Sequence, residues 1–424
     1  MKILIISNLY PPDFLGGYEL GCRQVVDALR TAGHEVMVLT GTPRRVIPNH
    51  RDEPHVTRRL KLEDLYDDYS QRTMHPVMQS IQNLEANCIS SFNVQILCEH
   101  LEKFEPDVAY LWNLIGLGGL GLIAALQHAG TPWVMHLMDM VPVKLCEIFR
   151  DRAVNGIQES FLKLCQGQFI SCSQSTLHEL AHYGLPVSER SILIPNWVEF
   201  FDELPREYCP EGKLRVVCAG TLSEAKGTKI LIEAAFKLKN RGYSNFSIDL
   251  FGHCPDPQFE SLILSFGLCD QVKYRGVKSQ ASLIESYTNY DLFAFPTHER
   301  EPFGFAPMEA AARGCVPLVS ELCGFSEWFV HAVDCVKVHR SSEAWADALQ
   351  RVLDDFSPYQ RIGIRAAKII KRDFCLPSIL PRIVQVLKHA QFMNTTRKRS
   401  LEDACRMAIL AERTFRSLLQ ELAA

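Results

Sequence analysis

The amino-terminal forty residues confine the chain to a narrow set of folds. An apolar run, Ile3-Leu4-Ile5-Ile6, leads into a loop holding Pro11-Pro12 and Gly16-Gly17, and then Cys22, Val25, Val26 and Leu29 recur at helical spacing. Gly33 stops that helix, and Val36-Met37-Val38-Leu39 opens a second strand. Strand, helix, strand in this order packs as a right-handed parallel crossover, half of a nucleotide-binding-type sheet. Further strand candidates at Val108 to Leu111, Trp133 to Met135 and Phe169 to Ser171 keep the pattern α/β.

A polar passage with Pro205 and Pro210, from Asp202 to Lys213, then interrupts the pattern, and a new series begins. It predicts strands at Leu214 to Ala219, Ser247 to Phe251, Val272 to Tyr274, Leu292 to Phe295 and Val316 to Val319, with helices from Thr228 to Lys239 and after Gly304. The expectation is therefore two Rossmann-like domains, residues 1–205 and 206–375, followed by helices over 376–424 that pack back on the first. Parallel sheets of this kind bind ligands beyond the carboxyl ends of their strands, so a cleft between two facing sheets is the expected binding place.

Composition excludes several classes. The chain has 424 residues, 47% hydrophobic and 22% charged, with a formal charge of −4 and no dominant basic block, so nucleic acid is not an expected partner. Its 15 cysteines are odd in number and scattered without CxxC pairs, which fits free thiols in a reducing cytoplasm. The first apolar run is too short for a signal peptide, and the stretch from Gly116 to Leu126 falls short of the roughly 18 residues a membrane span needs. Arg44 to Lys61 is rich in arginine but interrupted by Asp52-Glu53, and reads as a mixed surface loop. Leu401 to Leu422 is an amphipathic helix after Arg397-Lys398-Arg399, for which a partner-packing face is the main reading and a peripheral membrane contact the minor one.

The chemistry concentrates where buried strands give way to helices. In Pro296 to Glu309, Pro307 suits a first helical turn and Gly314 a stop, so unpaired amides at that helix start could hold a diphosphate. Such a terminus contributes only about 0.3–1 kcal/mol, and further donors are required. Glu301 lies in the loop, placed for ligand hydroxyls; Glu309 is read as a first-turn glutamate that serves either the helix dipole or a ribose. Lys226, in the loop Gly220 to Gly227, offers a point charge to a phosphate, and Gly16-Gly17 allows close backbone approach.

Taken in order, Pro11-Pro12 with Gly16-Gly17, Gly33-His34-Glu35-Val36, Ile194-Pro195-Asn196, Gly220 to Gly227 and Glu301 to Glu309 resemble the retaining glycosyltransferases of family four, which have the GT-B fold. The resemblance covers roughly Met1 to Leu387. It implies transfer from a nucleotide-diphosphate sugar to an acceptor hydroxyl with retention, no metal and no cofactor beyond that co-substrate, and a cytoplasmic enzyme, with contact at the inner membrane face left open. Carried onto this chain, it implies sugar contact by Glu301, backbone amides from Phe303 and Gly304, and ribose contact by Glu309. It implies Lys226 at the diphosphate beside Gly227 and Gly252, with Gly16 and Gly17 approaching the phosphates from the other domain. The departures are specific. Thr221 stands where the family has an arginine, with Lys278 and Arg300 as substitute cations. Met138-Asp139 replaces a histidine-aspartate pair, and strand alternation would put His136 on the same face as Met138, next to Asp139 in a catalytic role. Trp197 replaces a glycine, and Gly252-His253-Cys254-Pro255 a more glycine-rich loop. The rival readings are a nucleotide-sugar epimerase or hydrolase, and a donor-binding protein without turnover.

Overall fold

The computed structural model describes residues 1–43, 53–63, 76–146, 166–185, 187–199, 207–209, 212–254, 258–297, 301–393 and 400–421. The chain forms two compact units, one of Met1–Ser171, Ser175–Ile194 and Leu380–Ala424, the other of Cys172–Gln174 and Pro195–Ile379.

The first unit runs β1 (Lys2–Ser7), α1 (Gly17–Thr31), β2 (Glu35–Gly41), β3 (Val56–Leu60), α2 (Pro76–Asn83), α3 (Ser91–Phe104), β4 (Val108–Leu111), α4 (Gly119–Ala129), β5 (Trp133–Leu137), α5 (Val141–Leu145), β6 (Gln168–Ser171), α6 (Gln174–His182) and β7 (Ser191–Leu193). All strands pair in parallel, in the order β3-β2-β1-β4-β5-β6-β7. Ile3 to Ile6 are wholly buried at its centre, as a strand covered on both faces requires. Cys22, Val25, Val26 and Leu29 form the buried stripe of α1. Beyond its end, the Gly33 and His34 amides donate to the carbonyls of Arg30 and Leu29, each at 3.0 Å.

Part of the stretch read as a surface loop, Arg44 to Lys61, is instead strand β3. Val56 and Leu60 are buried, while the Arg58 guanidinium donates to the carbonyls of Tyr10 (3.0 Å) and Pro11 (2.7 Å). An arginine employed inside the fold made the strand look solvated; residues 44–52 lie outside the described set.

The second unit runs β8 (Leu214–Ala219), α7 (Thr228–Asn240), β9 (Phe246–Phe251), α8 (Gln258–Ser265), β10 (Val272–Gly276), α9 (Gln280–Ser286), β11 (Leu292–Phe295), α10 (Phe305–Ala312), β12 (Val316–Ser320), β13 (Val336–Val338), α11 (Ser342–Asp354) and α12 (Ser357–Asp373). Its six strands are again parallel, ordered β10-β9-β8-β11-β12-β13. Asp291, wholly buried, fixes where β8 and β11 begin. It accepts from the backbone amides of Cys209 and Arg215 (both 2.8 Å) and from two nitrogens of the Arg215 guanidinium (3.1 and 2.8 Å).

The chain ends in α13 (Leu376–Met393) and α14 (Leu401–Glu421), and returns to the first unit at Leu380. Ala404 and Ala408 of α14 join that unit's core, Glu412 Oε2 accepts from the Ser91 amide at 2.6 Å, and Arg416 pairs with Glu85. Among the described residues no helix is long and apolar enough to cross a membrane.

Candidate functional site

In the second sheet β8 and β11 are neighbours, and the connections leaving their carboxyl ends turn to opposite sides, which opens a crevice there. A pocket occupies that point. Its wall comes from the end of β8 and the loop after it (Cys218, Gly220, Thr221, Lys226), from Phe295 and Glu301, and from Gly304, Phe305 and Ala306. Thr228, the first residue of α7, also lines it, so the starts of α7 and α10 both turn their positive dipole ends toward one space, the Thr228 amide itself donating to the Ser223 carbonyl at 3.2 Å.

Two glycines let the loops come this close. Gly227 has φ of 76°, and a Cβ on it would lie 2.1 Å from the carbonyl oxygen of Pro296. Gly252 has φ of 134°, and its Cβ would lie 1.8 Å from the oxygen of Gly220, so the loops after β8 and β9 meet backbone to backbone. Neither lines the pocket; they shape it.

Glu301 is held from its own backbone. It bridges to Cys323 in parallel fashion, and its carbonyl accepts from the Gly324 amide at 2.8 Å. Its carboxylate forms an ion pair and hydrogen bond with the Lys226 ammonium. The two residues expected at different parts of a ligand are thus partners of each other. Phe303, 1% exposed, sends its ring into the aromatic core against Phe305 and Phe325, its carbonyl accepts from the Phe325 amide at 2.8 Å, and it is not on the pocket wall.

Glu309 is not a first-turn residue. With Gly304 as the cap, α10 carries no acid in its first turn, and Glu309 stands one turn deeper, 8% exposed. It therefore caps nothing, and the dipole explanation for it falls. Its Oε1 accepts from the side-chain amide of Gln280 at 2.6 Å. Burial, above all, pushes its pKa up, Gln280 opposes that shift, and the charge of Glu199 adds to it.

Residues 15–200 match the model of Glycosyltransferase Family 4, and residues 201–369 match that of Glycosyl transferases group 1. The chain is a family-four glycosyltransferase. A glycogen synthase of Mycobacterium tuberculosis is 23% identical, over 91% of this chain and 94% of its own. An uncharacterized glycosyltransferase of Methanocaldococcus jannaschii is 24% identical, over 93% and 99%. Among solved structures, sucrose-phosphate synthase from Thermosynechococcus elongatus superposes with a TM-score of 0.67 at 21% identity, covering 92% of this chain and 98% of that one. Anabaena HepE, solved with UDP and glucose, gives 0.64 at 18% identity, covering 92% and 100%. The fold is GT-B.

In the first unit of this glycosyltransferase the expected site residues are dispersed. Gly16 caps α1, and its amide and that of Leu15 donate to Glu19 Oε2 at 3.0 and 3.2 Å. Gly17 is the first residue of the helix. Glu19, 3% exposed, went unremarked in the sequence, although a glutamate three places after a cap residue is the capping-box signal. His136 is wholly buried in β5, its Nδ1 2.6 Å from the Tyr110 hydroxyl and its ring stacked on Trp112 at 4.7 Å. Burial pulls its pKa down to about 3, which keeps it neutral. The strand ends at Leu137, so the alternation that was to align His136 with Met138 does not reach Met138. Asp139 is exposed and accepts from the Met140 amide at 2.7 Å. Asp27, Glu53 and His55 bring donor atoms within 4.8 Å of one another, but Arg23 already bridges the two carboxylates, at 2.9 and 2.6 Å, and supplies the cation there.

The family departures also resolve in part. Thr221 is exposed at the pocket, and Lys278 lies over the Phe251 ring at 4.7 Å, not on the pocket wall. Arg300 lies outside the described residues.

Proposed function

We propose that the chain transfers a hexose or related sugar from a nucleotide-diphosphate donor to an acceptor hydroxyl, with retention at the anomeric carbon and without a metal. The Lys226–Glu301 ion pair, placed where two helix starts converge, carries this reading. Each helix start contributes about 0.3–1 kcal/mol toward an anion, too little alone, and Lys226 adds a full charge. A diphosphate entering the pocket draws Lys226 toward itself, which frees Glu301 to accept from sugar hydroxyls. Glu309, in the second turn of α10, whose first residues line the pocket, takes the ribose. The positive charge that a metal would bring comes from the lysine and the helix ends. The leaving diphosphate itself removes the acceptor's proton on the same face, so a dedicated protein base is not required.

Complexes of Anabaena HepE with UDP and with UDP-glucose support a donor of this class. The free thiols among the described residues support a reducing, cytoplasmic setting. A second reading, a donor-binding protein with impaired turnover, is favoured by Thr221 and Met138. A panel of UDP-, GDP- and ADP-sugars, incubated with extract fractions as acceptors, separates the two. Transfer releases nucleoside diphosphate only when acceptor is present, and Glu301→Gln removes that release. Binding without release supports the second reading, and absence of thermal stabilisation by every nucleoside diphosphate rejects both.

A further inference from the structure

Glu309 poses a problem that the donor reading does not solve. A carboxylate 8% exposed has few ways to stay ionised and in one orientation, yet accepting from a vicinal diol demands both. Among the described residues the polar group that reaches it is the side-chain amide of Gln280, at 2.6 Å from Oε1. Gln280 is itself well placed to stay there. It is the first residue of α9, whose cap Ser279 accepts from the Ser282 amide at 3.3 Å and bonds the Ser282 hydroxyl at 3.0 Å. The same helix runs into Tyr287, a wholly buried side chain whose hydroxyl feels the charge of Glu309.

We propose that Gln280 is a positioning residue for donor recognition: its amide holds Oε1 of Glu309, so that Oε2 is left to accept from the 2′ or 3′ hydroxyl of the donor's ribose. This rests on the pocket being the nucleotide-diphosphate site. The chemistry is directional. A carboxylate with one oxygen engaged presents the other in a fixed plane, and an amide N–H stabilises the ionised form that a hydroxyl donor needs. Gln280 thereby contributes to selection of ribonucleotides over deoxyribonucleotides while touching the phosphates not at all.

The test is equilibrium binding, by calorimetry, of UDP, GDP and ADP, each beside its 2′-deoxy and 3′-deoxy analogue, with inorganic pyrophosphate as the probe of the phosphate pocket alone. The intact protein should prefer a ribonucleotide over at least one deoxy analogue by about tenfold or more, the size expected of a hydrogen bond to a charged group. Gln280→Ala and Gln280→Leu should collapse that preference to within about twofold, through weaker ribonucleotide binding, and leave pyrophosphate affinity unchanged. Preference that survives both variants overturns the proposal, as does a wild type with no preference. A fall in pyrophosphate affinity of the same size also overturns it, since Gln280 would then merely support the fold. If the wild type binds none of the nucleoside diphosphates, the donor reading itself fails, which is a separate and distinguishable result.

Discussion

Burial raises the pKa of Glu309, so ionising it runs against the preference of its surroundings, and the consequence is a conflict between donor recognition and stability. Its pKa in the fold is raised, chiefly by burial, so the folded state binds the proton more tightly than the unfolded chain does. The sign follows: its contribution to stability is full below the ordinary carboxylate value, is lost as pH rises through the raised value, and at neutral pH the charged group is a net cost. Glu309→Gln should therefore unfold at higher urea concentration than the wild type at pH 7, while the two converge at pH 4. Nucleoside-diphosphate affinity should fall about tenfold or more in the same variant. A loss of stability at pH 7 would mean that the carboxylate serves the core. Thr221 presents the opposite case, an exposed uncharged side chain facing the pocket proposed for the diphosphate. Thr221→Arg should tighten nucleoside-diphosphate binding by roughly ten- to a hundredfold, the yield of one or two charge-assisted hydrogen bonds, as read by calorimetry. Unchanged affinity would show that Lys226 and the helix ends already satisfy the phosphates.

At the scale of elements, the site depends on where β8 and β11 start as much as on where they end. The Asp291 carboxylate, wholly buried, ties the beginning of both strands through Arg215 and the Cys209 amide. Removing one partner of such a buried pair leaves a guanidinium and two amides unmatched, so Asp291→Ala should cost about 3–5 kcal/mol in denaturant titration. By contrast, Lys226 and Glu301 are 43% and 17% exposed, and breaking that pair should cost the fold no more than about 1 kcal/mol. A comparable loss in both would refute the division into anchor and site. The long central strands were legible in the sequence because they are buried on both faces and read as unbroken apolar runs. Of the four edge strands only β10 was. Val56-Thr57-Arg58-Arg59-Leu60 hides its pairing behind arginines, Ser191–Leu193 is only partly covered, and Val336–Val338 is too short to show a period.

Across the whole molecule, repetition in the sequence carried the fold. Two series of strand, loop and helix gave two parallel sheets, each with a point where the strand order reverses, and each unit has its own core. What repetition did not carry was the pairing of side chains across loops. Glu301 and Lys226 were legible singly, since each lies in a loop between a buried strand and a helix, but 75 positions separate them and only the β8–β11 neighbourhood joins them. Gln280 was invisible because an exposed glutamine at a helix start has an ordinary explanation. The two sheets therefore need not respond alike to a donor, and this yields a prediction for the intact chain. Every pocket residue belongs to the second unit, so a saturating nucleoside diphosphate should slow amide exchange most at residues 220–228 and 301–312. At a concentration about 100 times Kd the bound state is favoured by about 2.7 kcal/mol, so amides that exchange only through opening of the pocket should slow by up to about a hundredfold. Protection confined to the loop and first turn at Gly16 to Glu19, with 220–228 unchanged, would move the phosphate site to the first sheet and overturn the assignment of Lys226.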